Sequence, residues 1–279
     1  MKVGALTPEA PYRYERSDDE RELMRQRELS ALLVRAVRAG DVWAAVHAIN
    51  RGAVITPAFP PLLNVAAERN DVHMMRVLLD AGADVNVHDA IGWTAMHVAA
   101  SNGRADIIGL LAHKRAAVNA RDRGGQTPLI FAVRRGHADA VAMLLRCGAD
   151  ANVSGVDGAL PLVEALYNGA EVIAGMLVAY GADTSAATRQ GTTPLIAAVI
   201  GSPHLVPFLT MHGAALDAQD DDGMTALMYA ARRGNLAVVK ELVLCGADDT
   251  LADNSHKGKT ALDYAEAAGH LRVVDYLSM

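Results

Sequence analysis

Residues Gly125–Gly136 read GQTPLIFAVRRG. Thr127 is placed to lay its hydroxyl over the open N–H groups of a first helical turn, and Pro128 suits the first helical position, where no donor is needed. Gly136 supplies a stop. A second apolar run, AVAMLL at 140–145, then leads to Gly148 in CGADAN, a glycine able to adopt the left-handed backbone that closes a helix. The stretch therefore predicts two short helices joined by a turn.

The unit recurs. Leu129 has equivalents at Leu33, Leu63, Met96, Leu162, Leu195, Leu227 and Leu262, at steps of 30, 33, 33, 33, 33, 32 and 35 residues. Three positions after each stands an alanine: Ala36, Ala66, Ala99, Ala132, Ala165, Ala198, Ala230 and Ala265. A small residue fixed at one phase means that neighbouring helices approach too closely for a larger side chain, so each unit must stack on the next. Seven positions after the aligned residue come Gly40, Asn70, Gly103, Gly136, Gly169, Ser202, Gly234 and Gly269. Asn is the usual substitute for Gly in a left-handed cap, which leaves Ser202 as the irregular member.

The segments GWTAMHVAASNG, GQTPLIFAVRRG, GTTPLIAAVIG and GMTALMYAARRG, with ends such as GADVN and GADAN, resemble ankyrin repeats, and the period of 33 is that of the family. The resemblance covers about Ser30 to Met279. It implies an all-α repeat solenoid of stacked antiparallel helix pairs, with short β-hairpin tips and a concave face formed by tips and first helices. The repeats fall at approximately 30–58, 59–91, 92–124, 125–157, 158–190, 191–222, 223–257 and 258–279. Residues 1–29 form a charged extension, flexible through APYRYERS; Ser17 followed by DDE then reads as a capped, acid-started helix that either runs into the first repeat or packs beside it.

Composition agrees with a linear array, which needs no closed core. Hydrophobic residues make up 51% and aromatics only 4%, as thin layers of small aliphatic side chains require. A net charge of −6 argues against a dedicated nucleic-acid binder. Cys147 and Cys245 occupy the same place in repeats three apart; at about 10 Å per layer they would lie roughly 30 Å apart, too far for a disulfide. Free thiols point to a reducing compartment, so a cytoplasmic location, or a nuclear one, is expected. No apolar signal-peptide core opens the chain. The uncharged stretch around Pro194, Pro203 and Pro207 keeps the repeat phase, and burial between repeats explains it better than a membrane.

The chemistry-bearing motifs dissolve into the repeat. Gly258-Lys259-Thr260 resembles the end of a phosphate loop, but the required earlier glycine is Asp253, and GKTAL is this repeat's version of GQTPL. His97, in TAMH, matches a position where the resemblance implies hydrogen bonding between turns, and His137 and His270 stand in the Gly-His step frequent in the family, so structural roles are expected of them. No zinc-ligand spacing and no nucleophile with a recognisable base occur, so neither catalytic residues nor cofactors nor metals are expected. Asn152-Val153-Ser154 is a glycosylation sequon, idle without secretion. Asn86, Asn119 and Asn152 occupy the hairpin position at which the family is known to undergo asparagine hydroxylation.

In ankyrin-like arrays the two residues before the capping glycine line the concave face. Here they include Arg134-Arg135, Tyr167-Asn168 and Arg232-Arg233, so an acidic chain concentrates arginine along one row. Arg121, Arg123 and Gln126 add to it near the tip of the fourth repeat, and the preceding tip offers Ile91 and Trp93, whose size structure alone does not demand. Arginine and tryptophan are enriched at binding hot spots, so a partner contact is expected around Trp93, Arg134, Arg135 and Tyr167, with a protein carrying acidic and apolar groups. The competing reading is a solvated face whose arginines pair with Asp89, Asp122 and Asp157. The resemblance implies a non-enzymatic interaction module, an adaptor or scaffold favoured as a monomer. A permanent structural or regulatory subunit is the alternative, raised by the apolar end LRVVDYLSM, and a nucleic-acid-binding module using the arginine row is a third.

Two departures mark expected irregularities. Arg115 stands where a helix-ending glycine belongs. The sixth repeat is one residue short, and Pro207 falls inside its second helix, where a kink is expected, followed by the acidic tip Asp220-Asp221-Asp222 as a second candidate contact.

Overall fold

The computed structural model describes residues 18–55, 61–155 and 158–279. The lead Met1–Ser17, with its Ser17 cap, and Asp157 lie outside them. Among the described residues sixteen α-helices form eight antiparallel pairs: α1 (Asp18–Ala39) with α2 (Val42–Asn50), α3 (Leu62–Glu68) with α4 (Val72–Asp80), α5 (Ala95–Ser101) with α6 (Ala105–His113), and α7 (Pro128–Arg134) with α8 (Ala138–Arg146). They continue as α9 (Pro161–Tyr167) with α10 (Glu171–Ala179), α11 (Pro194–Gly201) with α12 (Val206–Met211), α13 (Ala226–Arg232) with α14 (Leu236–Leu244), and α15 (Ala261–Ala267) with α16 (Leu271–Leu277). The first helix is continuous from Asp18 to Ala39, so the acid-started segment runs straight into the first pair.

Odd-numbered helices stack into an inner row and even-numbered helices into an outer row. The phased alanines sit where the inner helices touch. Seven have no exposed surface and Ala36 has 4%, so a larger residue there would overpack the layer at a cost of about 1–3 kcal/mol. Leu33, Leu63, Met96, Leu129, Leu162, Leu195 and Leu227 fill the same layers, each at most 2% exposed.

Successive inner helices are also clasped at their ends. The last carbonyls of a helix have no intrahelical donor, and at five junctions a side chain of the next repeat supplies one. Arg69 donates to Ala39 O (3.2 Å), His137 Nε2 to Ser101 O (3.1 Å), Ser202 Oγ to Leu166 O (2.7 Å), Arg233 to Ile200 O (2.7 Å) and His270 Nε2 to Arg232 O (3.1 Å). Ser202 is thus irregular in backbone yet makes the contact that histidine makes elsewhere. A second ladder runs along the loops after the outer helices. Asn86, Asn119 and Asn152 each accept through Oδ1 from a backbone N–H of the next repeat, on Ala117, Asp150 and Asp183 respectively, at 2.8–2.9 Å.

The structure revises three local expectations. Among the described residues the β-hairpin tips shrink to one antiparallel bridge, His88 with Thr94, and to single cross-tip bonds such as Asp122 N to Gln126 O (3.0 Å), because turns this short leave no length for a ladder. The Thr127 hydroxyl does not cap its helix; it is buried without a partner, and α7 starts on the preset geometry of Pro128. Pro207 does not interrupt a helix. A 3₁₀ turn at Pro203–Leu205 precedes α12, which places Pro207 in the first helical turn, where its missing N–H costs nothing. Gly201 closes α11 against the end of α9 so tightly that an added Cβ would lie 2.4 Å from Leu166 O.

Arg115 adopts the left-handed backbone its position demands, at φ 62, a conformation costing a non-glycine residue about 1–2 kcal/mol. Arg115→Gly is therefore expected to raise the thermal midpoint in a calorimetric scan, and an unchanged midpoint would contradict a strained turn. Gly201→Ala should lower it. Gly175→Ala, in α10 with nothing near the added methyl, should raise it by the helix-propensity difference of roughly 1 kcal/mol.

Candidate partner-binding face

The tips and inner helices share one face, and its polar groups are largely committed to one another. Asp89 Oδ1 accepts from the N–H groups of Ile91 (3.0 Å) and Trp93 (2.8 Å), and Asp122 Oδ1 accepts from Gln126 N (2.9 Å). Asp220 and Asp253 do the same in later tips, and each also accepts a tyrosine hydroxyl, from Tyr229 and Tyr264. The Ser255 hydroxyl, donating to Asp253 Oδ1 at 2.6 Å, and then the Tyr264 hydroxyl hold the Asp253 carboxyl well below the usual range. For Tyr229, burial and then the bond to Asp220 push the phenol far upward; the bond to Asp253 raises Tyr264 to about 12. Asp89 and Asp122 therefore serve as turn locks; Asp220, offered as an acidic contact, is consumed likewise, while Asp221 and Asp222 stay exposed.

Trp93 has a structural use that its sequence position did not reveal. Its indole N–H donates to Asp122 Oδ2 (3.1 Å) in the next tip, and its ring meets Phe131 edge-on at 4.7 Å. Arg134 is also engaged, donating to Gln126 Oε1 (2.9 Å) and pairing with Glu164 on α9 (2.8 Å). Trp93, Asp122, Gln126, Arg134 and Glu164 thus form one chain of contacts through three repeats. Arg121 bridges to Ser154 O (3.1 Å).

What remains free is more selective than the arginine row. Arg135 and Arg123 are exposed and make no side-chain hydrogen bond or ion pair among the described residues. Ile91 is 55% and Tyr167 41% exposed. Tyr167 and Arg134 share a groove of about 170 Å³ with Val163, Glu164 and Arg189, of which sequence reasoning missed the last three; Glu164, one turn before Tyr167 on α9, was the legible one. Arg232 and Arg233 belong to a separate stretch in the seventh repeat. Arg233 clasps Ile200 O, and Arg232 lies over the Tyr229 ring at 5.2 Å.

His97 is fully buried at the base of this face. Its Nδ1 accepts from Thr94 N (3.2 Å) and its Nε2 reaches Gln126 O (3.2 Å), which fixes the neutral tautomer protonated at Nε2. Burial lowers its pKa from 6.5. Cys147 and Cys245 are free thiols. Among the described residues no helix is long and apolar enough to cross a membrane, and no three His, Cys, Asp or Glu side chains are grouped to hold a metal ion.

Stacked helix pairs with hairpin-like tips, clasped end to end by side chains that include His137 and His270 of the two Gly-His steps, define an ankyrin architecture. The family model described as Ankyrin repeats (3 copies) matches residues 63–155 and 196–279, more than half of the sequence, and the chain belongs to the ankyrin repeat family. It superimposes on the crystal structure of the ankyrin repeat domain of Bcl-3, a member of the IkappaB family, with a TM-score of 0.66 and 27% identity over 89% of this chain and 98% of that one. Human ASB11's ankyrin repeat domain gives a TM-score of 0.64 and 29% identity over 76% and 96%. In sequence the chain is 38% identical over 72 residues, 26% of its length, to human Ankyrin repeat domain-containing protein 63, and 38% over 74 residues, again 26%, to the E3 ubiquitin-protein ligase XBAT33 of Arabidopsis thaliana. The aligned segments span only 18% and 14% of those relatives. Ankyrin repeats are protein-interaction modules, a non-enzymatic scaffold in themselves.

The depressed His97 pKa gives a pH dependence. The unfolded chain takes up a proton near 6.5 that the folded chain resists, so stability is full above that value and declines as pH falls below it, towards the folded value. Denaturant midpoints measured across this window should fall with acidification, and His97→Asn should flatten the decline; an identical slope in the variant would locate the proton uptake elsewhere.

Proposed function

We propose that this chain is a non-enzymatic adaptor or scaffold that holds a protein partner on the face shared by tips and inner helices. The contact centres on Trp93, Arg134, Arg135 and Tyr167 and draws on Ile91, Arg121, Arg123 and Gln126, with Arg232 and Arg233 as an outlying extension. One observation carries this reading. Arg135, exposed and without a side-chain partner among the described residues, follows directly on Arg134, which lines the groove that leaves Tyr167 open. An exposed guanidinium and an accessible phenol ring contributed by neighbouring repeats suit a partner presenting carboxylate and apolar groups together. Prepacked repeats lose little entropy on binding, and the free thiols fit a cytoplasmic or nuclear setting.

A second reading, a permanent subunit of a larger assembly, is favoured by the outer-helix ends. Asn50, Asp80, His113 and Arg146 close the first four outer helices, whereas α12 and α14 end on Met211 and Leu244, each 79% exposed, and Tyr180, 51% exposed, stands just beyond the end of α10.

A test that spares the structural residues compares the wild-type chain with Arg123→Glu/Arg135→Glu/Tyr167→Ala in affinity capture from its native cells, after matched circular dichroism. Partners retained by the wild type and lost by the variant support the face; partners held equally by both overturn it, and an unchanged stoichiometric complex would favour the permanent subunit.

A further inference from the structure

The cavity between the second and third repeats has a chemistry opposite to that of the arginine row. It encloses about 230 Å³ and is lined by Asn64, Glu68, Asp89, Trp93 and Asn102, with Val65 and Val98 beneath, and no lysine, arginine or histidine lines it. Asn64, on α3, is only 5% exposed. Its Nδ2 donates to Trp93 O at 2.9 Å, which fixes the orientation of the amide, because a carbonyl only accepts. The Asn64 Oδ1 is thereby left buried with no partner among the described residues. An acceptor in that condition costs about 1–3 kcal/mol, and native structures rarely keep one without a use.

The surroundings say what kind of donor would complete it. Glu68 is exposed and forms no ion pair among the described residues, and Asp89, although it locks its turn through Oδ1, brings a second negative charge to the wall. The Trp93 indole adds an aromatic surface, to which a cation is attracted when held against it. Carboxylates repel nucleic acid, and the cavity groups no three metal-ligating side chains. A long cationic side chain suits these features together: its charge meets Glu68 and Asp89, its methylenes lie along Trp93 and Val98, and a small shift of the amide brings the Asn64 oxygen, covered in this structure, to its N–H groups.

We propose that this cavity is a receptor for an arginine or lysine side chain of a partner protein. The inference rests on the reading that the partner lies along this face, and it refines the partner's chemistry. A segment that places acidic and apolar groups near Arg135 and Tyr167 would carry a basic residue two repeats closer to the amino terminus.

The test uses the full chain with Trp43→Phe, which leaves Trp93 as its only tryptophan. The tripeptides acetyl-Gly-Arg-Gly-amide and acetyl-Gly-Lys-Gly-amide are titrated in, with the citrulline analogue as the uncharged isostere. The readouts are the NMR signals of the Trp93 indole N–H and the Asn64 side-chain amide. Saturable movement of both signals with the cationic peptides and none with citrulline is expected, weakened about tenfold or more by Glu68→Arg, the loss of one charge-assisted contact. Glu68 is exposed on the surface, so that variant should fold unchanged. No saturable shift, an equal shift with citrulline, or indifference to Glu68→Arg overturns the proposal; the first would leave a cavity that holds only water, and the second a polar pocket indifferent to charge. Failure here is separable from failure of the broader reading. A chain that ignores the tripeptides yet loses its partners through Arg123, Arg135 and Tyr167 sinks the receptor alone, whereas tripeptide binding with partners unaffected sinks the other.

Discussion

The close approach of the inner helices at their alanines is the constraint on which everything else depends. With Ala66 to Ala265 at zero exposure, each inner helix is fixed at one distance from the next. That spacing brings a histidine, arginine or serine within reach of the preceding helix's last carbonyl. The same spacing brings Trp93 to Asp122 and Arg134 to Glu164, residues 29 and 30 positions apart in the sequence. A solenoid has no global core to enforce its order, so these nearest-neighbour contacts are the whole of its tertiary structure. Position-specific smallness does the work that bulk and aromatic content do in a globular domain.

That arrangement explains what could be read from the sequence. The helix pairs, their phase and the left-handed caps were legible because each depends on residue type at a fixed offset, and even Arg115 betrayed its conformation by standing in a glycine's place. Pro207 misled because one missing residue shifted the helix start behind it, and a single position decides whether a proline breaks a helix or begins one. Thr127 misled for a related reason: its residue type is that of a cap, yet its oxygen meets no N–H.

The face was less legible because side-chain pairing depends on neighbours in other repeats. Trp93, Arg134 and Arg233 looked like free recognition groups, and each turned out to hold the stack. Arg123, Arg135 and Tyr167 share their residue types but remain open. Arg189, which shapes the groove, and Asn64, which shapes the acidic cavity, carry no signal in the sequence, since nothing in composition distinguishes a polar residue on a groove wall from one on a solvated surface.

The sixth repeat gives the array a mechanical property. Its inner helix is pressed onto its neighbour, with Gly201 set against Leu166 and Tyr167, whereas its outer element is cut to a 3₁₀ turn and a six-residue helix that barely meets α10. A stack of this kind behaves as an elastic rod that is stiff along one edge and thin along the other at a single level. Its compliance concentrates there, and flexure turns about the tight inner edge. The groove at Tyr167 lies directly on that edge, so a load applied to the last three repeats would open or narrow it while the first five move as one piece.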